Sequence, residues 1–454
     1  MSISIGITTG QAPMSGLPMA PPAPPPPPPQ AGGLIPPSNL FTSTQMTFAT
    51  ADHIDFRSNW EISGGRLTCL GLSGNDARMQ LDASLTAGNP YFITLDPQYQ
   101  DTNIKINLSG DGAVNGRNVS QDWQGFQYFP PALVSGNFNR VAVKPSSGAT
   151  SSVDDISLYD LSSVDPNRVP CDVIIVGGDS NSANATSEFV TKENRETPYD
   201  PRLWYMPCLR VSPTYGTVGA ERHQPFPMIE PVLAAPGAAR MSPVHAAASR
   251  LVEWSAARDR PLLVMALGDP GSGLMNTQDW RHPDRAVIET TQQANTASRM
   301  WNEMIAMKAA VEALGPAHQV VGAIWSLGQN DGFNTPDGPD GYDTAHTAEY
   351  QAFFSDVRSE FGDIPMVLTN IAQHIVDNTD GAGNPGFGSY RQQWLNRFDQ
   401  DSGHPNAIAN FRVIQPASGN QVDPLDPGDP HYNAAGMQQN GRDMGDALLA
   451  LLNA

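Results

Sequence analysis

Cys171-Asp-Val-Ile-Ile-Val-Gly-Gly-Asp-Ser-Asn-Ser182 is the stretch that decides the fold. Val173 to Val176 is a short β-branched apolar run, the pattern of a strand buried on both faces of a parallel sheet. Gly177 and Gly178 let the chain turn sharply as the run ends. Ser180 then stands at the carboxyl end of a strand, where open α/β sheets hold their ligands. A plain strand-to-helix turn with a capping serine has the same local pattern. The stretch alone leaves both readings open.

Downstream, from about 168 to 454, similar apolar runs alternate with helix-like stretches. Strands are predicted at 172–176, 261–267, 319–327, 364–371 and 411–414. Helices are predicted over about 243–258, 286–314, 345–361, 388–399 and 433–453. Such alternation implies a mostly parallel sheet covered by helices on both faces, a three-layer α/β/α domain.

Upstream the pattern changes. From 41 to about 165, short segments of alternating apolar residues are separated by Gly, Asn and Asp clusters, as in Gly65-Arg-Leu-Thr-Cys-Leu and Asn103-Ile-Lys-Ile-Asn-Leu. Many short strands with turn chemistry between them predict an all-β sandwich. Trp60, Trp123, Phe126, Tyr128 and Phe129 could stack on sugar rings there, although core packing is the commoner task of such side chains. Residues 1–40 are of low complexity, with unbroken prolines from Pro24 to Pro29. They read as a polyproline tail or tether, one use of which is docking onto a larger particle.

Composition narrows the partners. Among 454 residues, 26 are basic and 46 acidic, a formal net charge of -20. Nucleic acid and anionic membrane surfaces attract Lys and Arg, so neither is expected as a partner. No apolar run is long enough to span a bilayer, and the N-terminus lacks the basic and apolar regions of a secretory signal. Cys69, Cys171 and Cys208 show no paired spacing, so neither a metal nor a redox motif is expected. The acidic loops at 334–343 and 377–386 miss the EF-hand spacing. Gly268–Gly273 is not followed by Gly-Lys-Ser/Thr, which excludes a P-loop. The Gly-x-Ser-x-Gly elbow is absent around Ser180. His223, His245 and His374 are further pocket candidates, each equally readable as structural or exposed.

Three blocks combine into one candidate site. They are the opening stretch with Ser180, Trp325-Ser-Leu-Gly-Gln-Asn-Asp-Gly332, and Asp426-Pro-Gly-Asp-Pro-His-Tyr-Asn433 before the last helix. Serine, asparagine and histidine at separate strand ends can supply a nucleophile, an oxyanion donor and a base.

Order and content of these blocks resemble the SGNH hydrolases, in particular the sialate O-acetylesterase and acetylxylan-esterase-like branch. Gly178-Asp179-Ser180-Asn181 is similar to that branch's Gly-Gln-Ser-Asn. Gly328-Gln329-Asn330-Asp331 matches the wider family's Gly-x-Asn-Asp, and His431 takes the place of the closing histidine. The resemblance covers 168–454 and implies a flavodoxin-like three-layer fold and a serine esterase that needs neither metal nor cofactor. It also implies Ser180 as nucleophile, His431 as base, and an oxyanion hole from the Ser180 N–H, Gly271 (alternate Gly273) and Asn330. The family's acid stands three residues before the histidine, but position 428 is glycine. Asp429 is the preferred substitute, Asp426 the alternate, and a dyad without an acid is a third reading.

Residues 41–165 resemble a jelly-roll carbohydrate-binding module, on Trp60-Glu-Ile-Ser-Gly-Gly-Arg-Leu and Val153-Asp-Asp-Ile-Ser-Leu-Tyr-Asp-Leu. The two resemblances together imply removal of O-acetyl groups from a cell-surface or capsular polysaccharide. The expected setting is extracellular or virion-associated, as part of a fibre or spike, and a homo-oligomer is compatible with it. The competing reading is a catalytically impaired SGNH protein that binds glycan or serves as a structural component.

Overall fold

The structure is a computed structural model. It describes residues 33–41, 54–56, 60–63, 66–69, 77–81, 84–99, 104–110, 117–119, 126–134, 138–145, 151–182, 199–208, 222–228, 242–275, 277–285, 298–328, 331, 339–371, 395–416 and 431–454. Residues 388–394 of the helix expected over 388–399 lie outside them, as do residues 286–297 of the helix expected over 286–314 and the alternating apolar segment at 45–50.

The first ten strands are β1 (Ile54–Phe56), β2 (Trp60–Ser63), β3 (Arg66–Cys69), β4 (Ala77–Gln80), β5 (Tyr91–Tyr99), β6 (Ile104–Gly110), β7 (Arg117–Val119), β8 (Phe126–Phe129), β9 (Phe138–Pro145) and β10 (Ser151–Asp160). They form two antiparallel five-stranded sheets, ordered β1-β4-β9-β6-β7 and β2-β3-β10-β5-β8. One apolar cluster draws on both sheets, with Met79, Leu108 and Val141 from the first and Leu67, Ile93, Phe129 and Leu158 from the second. Alternation along each strand sends one set of side chains inward, which is why these residues recur at even spacing.

The second part is a seven-stranded sheet. Its strands are β11 (Asp172–Gly178), β12 (Leu203–Pro207), β13 (Phe226–Pro227), β14 (Leu262–Gly268), β15 (Gln319–Ser326), β16 (Met366–Thr369) and β17 (Phe411–Ile414). The order is β13-β12-β14-β11-β15-β16-β17, parallel except for β13 at the edge. The opening stretch therefore supplies the central strand, and every residue of β11 and β14 is buried. Among the described residues of this part, five helices carry its faces: α1 (Pro243–Ser249), α2 (Val252–Ala256), α3 (Arg299–Leu314), α4 (Pro339–Phe361) and α5 (Ala434–Leu452). Gly322 of β15 faces Leu448 of α5, whereas Trp325, three residues on, meets Phe353 of α4 at 5.0 Å between ring centroids. Residues three apart on a strand point to opposite faces, so helices cover both sides. On one side α5 crosses α1 closely, because a Cβ at Gly441 or Gly445 would stand 2.4 or 2.6 Å from a backbone oxygen of α1.

The helix expected over 243–258 is two short helices, separated at Arg250 and Leu251. Strand β12 was not expected. Its Leu-Trp-Tyr-Met-Pro lacks the β-branched residues that mark β11, and its burial comes from neighbours supplied by distant parts of the chain.

The two parts share a buried aromatic seam. Tyr128 meets Trp204 at 6.1 Å and Phe226 at 5.2 Å, and Phe92 meets Tyr199 at 4.4 Å. Residues 33–41, which the sequence reading places largely in the proline-rich tail, cross the same junction. Leu34 N–H donates to Ala256 of α2 at 2.6 Å, Leu40 N–H to Leu158 of β10 at 2.7 Å, and Phe41 enters the sandwiched apolar cluster. No helix among the described residues is long and apolar enough to cross a membrane.

Candidate active site

Strand β11 ends in a turn fixed from both sides. The Asp179 N–H donates to the Ser326 carbonyl of β15 at 2.9 Å, and the Gly178 carbonyl accepts the Asp269 N–H beyond β14 at 3.2 Å. Gly178 has φ +145°, and a Cβ there would lie 2.0 Å from the Ser326 carbonyl oxygen. Only glycine satisfies both the dihedral and the approach. Beyond it, Asp179 Oδ1 accepts the Asn181 N–H at 3.2 Å, and the Asp179 carbonyl accepts the Ser182 N–H and hydroxyl at 3.1 and 2.9 Å. Asp179, Asn181 and Ser182 are buried while Ser180 between them is partly exposed. Asp179 thus shapes the serine turn; the residues beyond Ser182 that a cap would serve lie outside the described residues.

The second loop, after β14, packs on this turn. Ser272 Oγ donates to the Gly178 carbonyl at 3.3 Å and accepts from Trp280 Nε1 at 2.9 Å. The sequence offered no motif for Ser272; its position next to Gly271 was the only signal. Gly271 has φ +78° and is exposed at the loop apex. The N–H of Gly273, the alternate oxyanion donor, is engaged by Thr277 Oγ1 at 2.8 Å.

The third loop follows β15. Asn330 lies outside the described residues, but its neighbour Asp331 is buried and central. The Asp331 carboxylate accepts the N–H groups of Leu274 and Met275 at 3.0 and 2.9 Å and the Tyr350 hydroxyl at 2.9 Å. It ties the second loop to the third and to α4. The Gly-x-Asn-Asp block contains this residue, yet sequence alone assigned it no role.

His431 precedes Tyr432 and the N-cap of α5, where Asn433 Oδ1 accepts the Gly436 N–H at 2.8 Å. His431 is partly exposed. The Tyr432 phenol is buried and its pKa is pushed up by that burial and then by the charge of Asp179, against a hydrogen bond with Asn440. Asp426 and Asp429, the two candidate acids, lie outside the described residues.

Other candidates fall elsewhere. His223 Nε2 is paired with Glu303 Oε1 at 2.5 Å, beside Arg222. His245 is buried away from the serine turn, and His374 lies outside the described residues. Cys171 and Cys208 are buried free thiols, the latter pushed up to about 12 chiefly by burial, so it offers no thiolate. Of the aromatics considered for sugar stacking, Tyr128 is in the seam and Phe129 in the apolar cluster; the side chains of Trp60, Trp123 and Phe126 lie outside the description. Among the described residues no three His, Cys, Asp or Glu side chains gather as a metal site would require.

No protein-family model matches the chain, and no curated protein matches it. Several solved structures do. NanS is 14% identical over 62% of this chain and 97% of that one, with a TM-score of 0.43. A family two carbohydrate esterase from Cellvibrio japonicus is 14% identical over 88% and 96%, with a TM-score of 0.35. A carbohydrate esterase family 2 enzyme plus carbohydrate binding domain from Corynascus thermopiles is 14% identical over 88% and 100%, with a TM-score of 0.37. At this identity and these scores each is a likeness only.

Proposed function

We propose that the chain is a serine esterase of the SGNH kind that removes O-acetyl groups from a polysaccharide. The observation that carries this reading is Ser180, partly exposed in a turn whose other members are buried and bonded, at the carboxyl end of the central strand. A hydroxyl held this way is pre-positioned, which is what converts a weak nucleophile into an effective one once a base takes its proton.

In this reading His431 removes the Ser180 proton as Oγ attacks the acetyl carbonyl carbon. The developing oxyanion is met by the N–H groups of Ser180 and Gly271 and the amide of Asn330. The C–O bond to the sugar then breaks, and the His431 proton passes to the leaving sugar oxygen. Water, deprotonated by His431, attacks the acetyl-serine, releasing acetate and restoring the Ser180 hydroxyl. A carboxylate from Asp429 or Asp426 would hold the tautomer of His431.

Ser180→Ala tests this directly. Hydrolysis of p-nitrophenyl acetate and acetate release from acetylated xylan are expected to fall by a factor on the order of 10³ or more. A variant that works at the parent rate would sink the mechanism. The glycine at position 428 favours one second reading, a glycan-binding protein with an impaired site. Absence of any acetate release from acetylated glycans by the parent protein, with retained binding, would decide for it.

A further inference from the structure

The junction between the two parts encloses a second concavity. It has a volume of about 340 Å³ and is walled by Pro36 and Pro37 of the N-terminal segment, Tyr159 of β10, and Tyr199, Asp200 and His245 of the α/β part. That volume falls within the ~300–1,000 Å³ typical of small-molecule sites. Its position separates it from the serine turn. Leu203, also in its wall, pairs with Leu262 at the start of β14, and Leu262 pairs with Asp172 at the start of β11. Ser180 lies beyond the other end of β11, roughly 20 Å away at ~3.3 Å per strand residue.

The walls are fixed independently of any ligand. Tyr199 stacks on Phe92 at 4.4 Å and lies 5.5 Å from Tyr159, the two tyrosine rings inclined at 57°. Asp200 is held by Arg202 through its Oδ1 and Oδ2 at 3.0 and 2.7 Å, and Arg202 in turn by Glu253. The segment carrying the two prolines is fastened at one end to Ala256 and at the other to Leu158.

The chemistry of the walls is specific. Tyrosine and proline rings give apolar faces. Asp200 brings a carboxylate whose charge Arg202 already balances. His245 is only 3% exposed, and burial lowers its pKa to about 4 against the opposing pull of Asp200, so it is neutral. His245 Nδ1 and the Tyr199 hydroxyl are buried with no hydrogen-bond partner. Each such orphan carries an uncompensated desolvation cost, which a ligand bringing hydroxyl groups could recover by a small ring adjustment. Flat apolar faces with neutral donors and acceptors match a pyranose ring, which has an apolar face and an equator of hydroxyls. An anion finds no uncommitted cation in these walls and meets a chain of net charge -20.

We propose that this junction cavity is a second, non-catalytic site for a neutral saccharide unit. It would hold a glycan at the opposite edge of the sheet from Ser180. The choice of saccharide over another polyol rests in part on the esterase reading above; the site's existence does not. The experiment is titration of the full chain with xylobiose and with cellobiose by calorimetry, in the Ser180→Ala background so that no chemistry intervenes. One saturable site is expected for at least one of the two. Ser249→Trp, which places an indole in the cavity from the last turn of α1, and Tyr159→Ala, which removes a ring face, are each expected to weaken binding by about tenfold or more with thermal melting checked in parallel. Absence of saturable binding by both sugars overturns the proposal. So does binding that both cavity variants, melting like the parent, leave unchanged, or equal binding of acyclic sorbitol. Failure of the esterase reading would show separately, as unchanged hydrolysis by Ser180→Ala.

Discussion

Strand β11 begins at one buried aspartate, Asp172, and is followed at once by another, Asp179, and the two are held in opposite ways. Asp172, fully buried, is flanked by Arg258 at 3.3 Å and Arg260 at 3.4 Å and accepts from Ser255 at 3.1 Å. Burial still outweighs both guanidinium groups and raises its pKa. At the other end, Asp179 accepts from the Asn181 N–H, and Asp331 on the loop after β15 accepts from the Leu274 and Met275 N–H groups and the Tyr350 phenol. Arginines at the lower edge neutralise charge and pin the chain. Backbone N–H groups pin the chain at the upper edge too, and the arginine there, Arg299, pairs with Asp269 and Asp279 on the loop after β14. An N–H group held by the fold needs no reorganisation during a reaction. On the proposed mechanism the lower edge then carries stability alone and the upper edge carries the reacting groups.

That division can be broken by experiment. Asp172→Ala leaves Arg258 and Arg260, whose side chains are 10% and 17% exposed, without their partner. We expect a loss of about 3 kcal/mol in urea unfolding, with kcat on p-nitrophenyl acetate unchanged once the protein is folded. A drop in kcat without loss of stability would show that the lower edge is not merely structural. Asp331→Asn is the converse. An amide can accept from one side only, so one of the Leu274 and Met275 N–H groups loses its acceptor and the loop carrying Gly271 shifts. We expect kcat to fall about 10- to 100-fold with a smaller change in melting; unaltered kcat would remove Asp331 from the positioning of the site. The smallest effect belongs to Thr277→Val, which releases the Gly273 N–H. A stability loss of about 1 kcal/mol with kcat held is expected if Gly271 supplies the oxyanion donor, and a rise in kcat would point to Gly273 instead.

How much of this could be read from the sequence varies with distance along the chain. The central strand and its glycine turn were legible because burial on both faces leaves a local signature, a β-branched run that stops at two glycines. Strands β14 to β17 were legible as short apolar runs alternating with helix-like stretches. Strand β12 was not legible, since its Trp204 and Tyr205 are buried partly by Tyr128 and Phe226 from distant strands. The same seam explains Tyr128. An aromatic on a β-strand reads equally as a sugar platform or as core, and only the fold places it against Trp204. At the site, motif order brought Ser180, the 268–273 loop and His431 forward, and the structure places Ser180 and that loop at the carboxyl ends of adjacent strands β11 and β14. Ser272 and Asp331 escaped because their work consists of bonds to backbone groups 94 and 57 residues away, a relation with no short-range pattern.

The capping of α5 by Asn433 has a consequence for the timing of synthesis. The proposed base is fastened by the last helix, which packs on α1 and beside β15 to β17. A ribosome delivers the chain at ~5–20 residues per second, and the serine turn is complete only once Ser326 of β15 is present, so it precedes His431 by roughly 5–20 seconds. On the proposed mechanism, the nascent chain carries a shaped but unarmed hydroxyl during that interval, and acyl transfer begins only once α5 has docked.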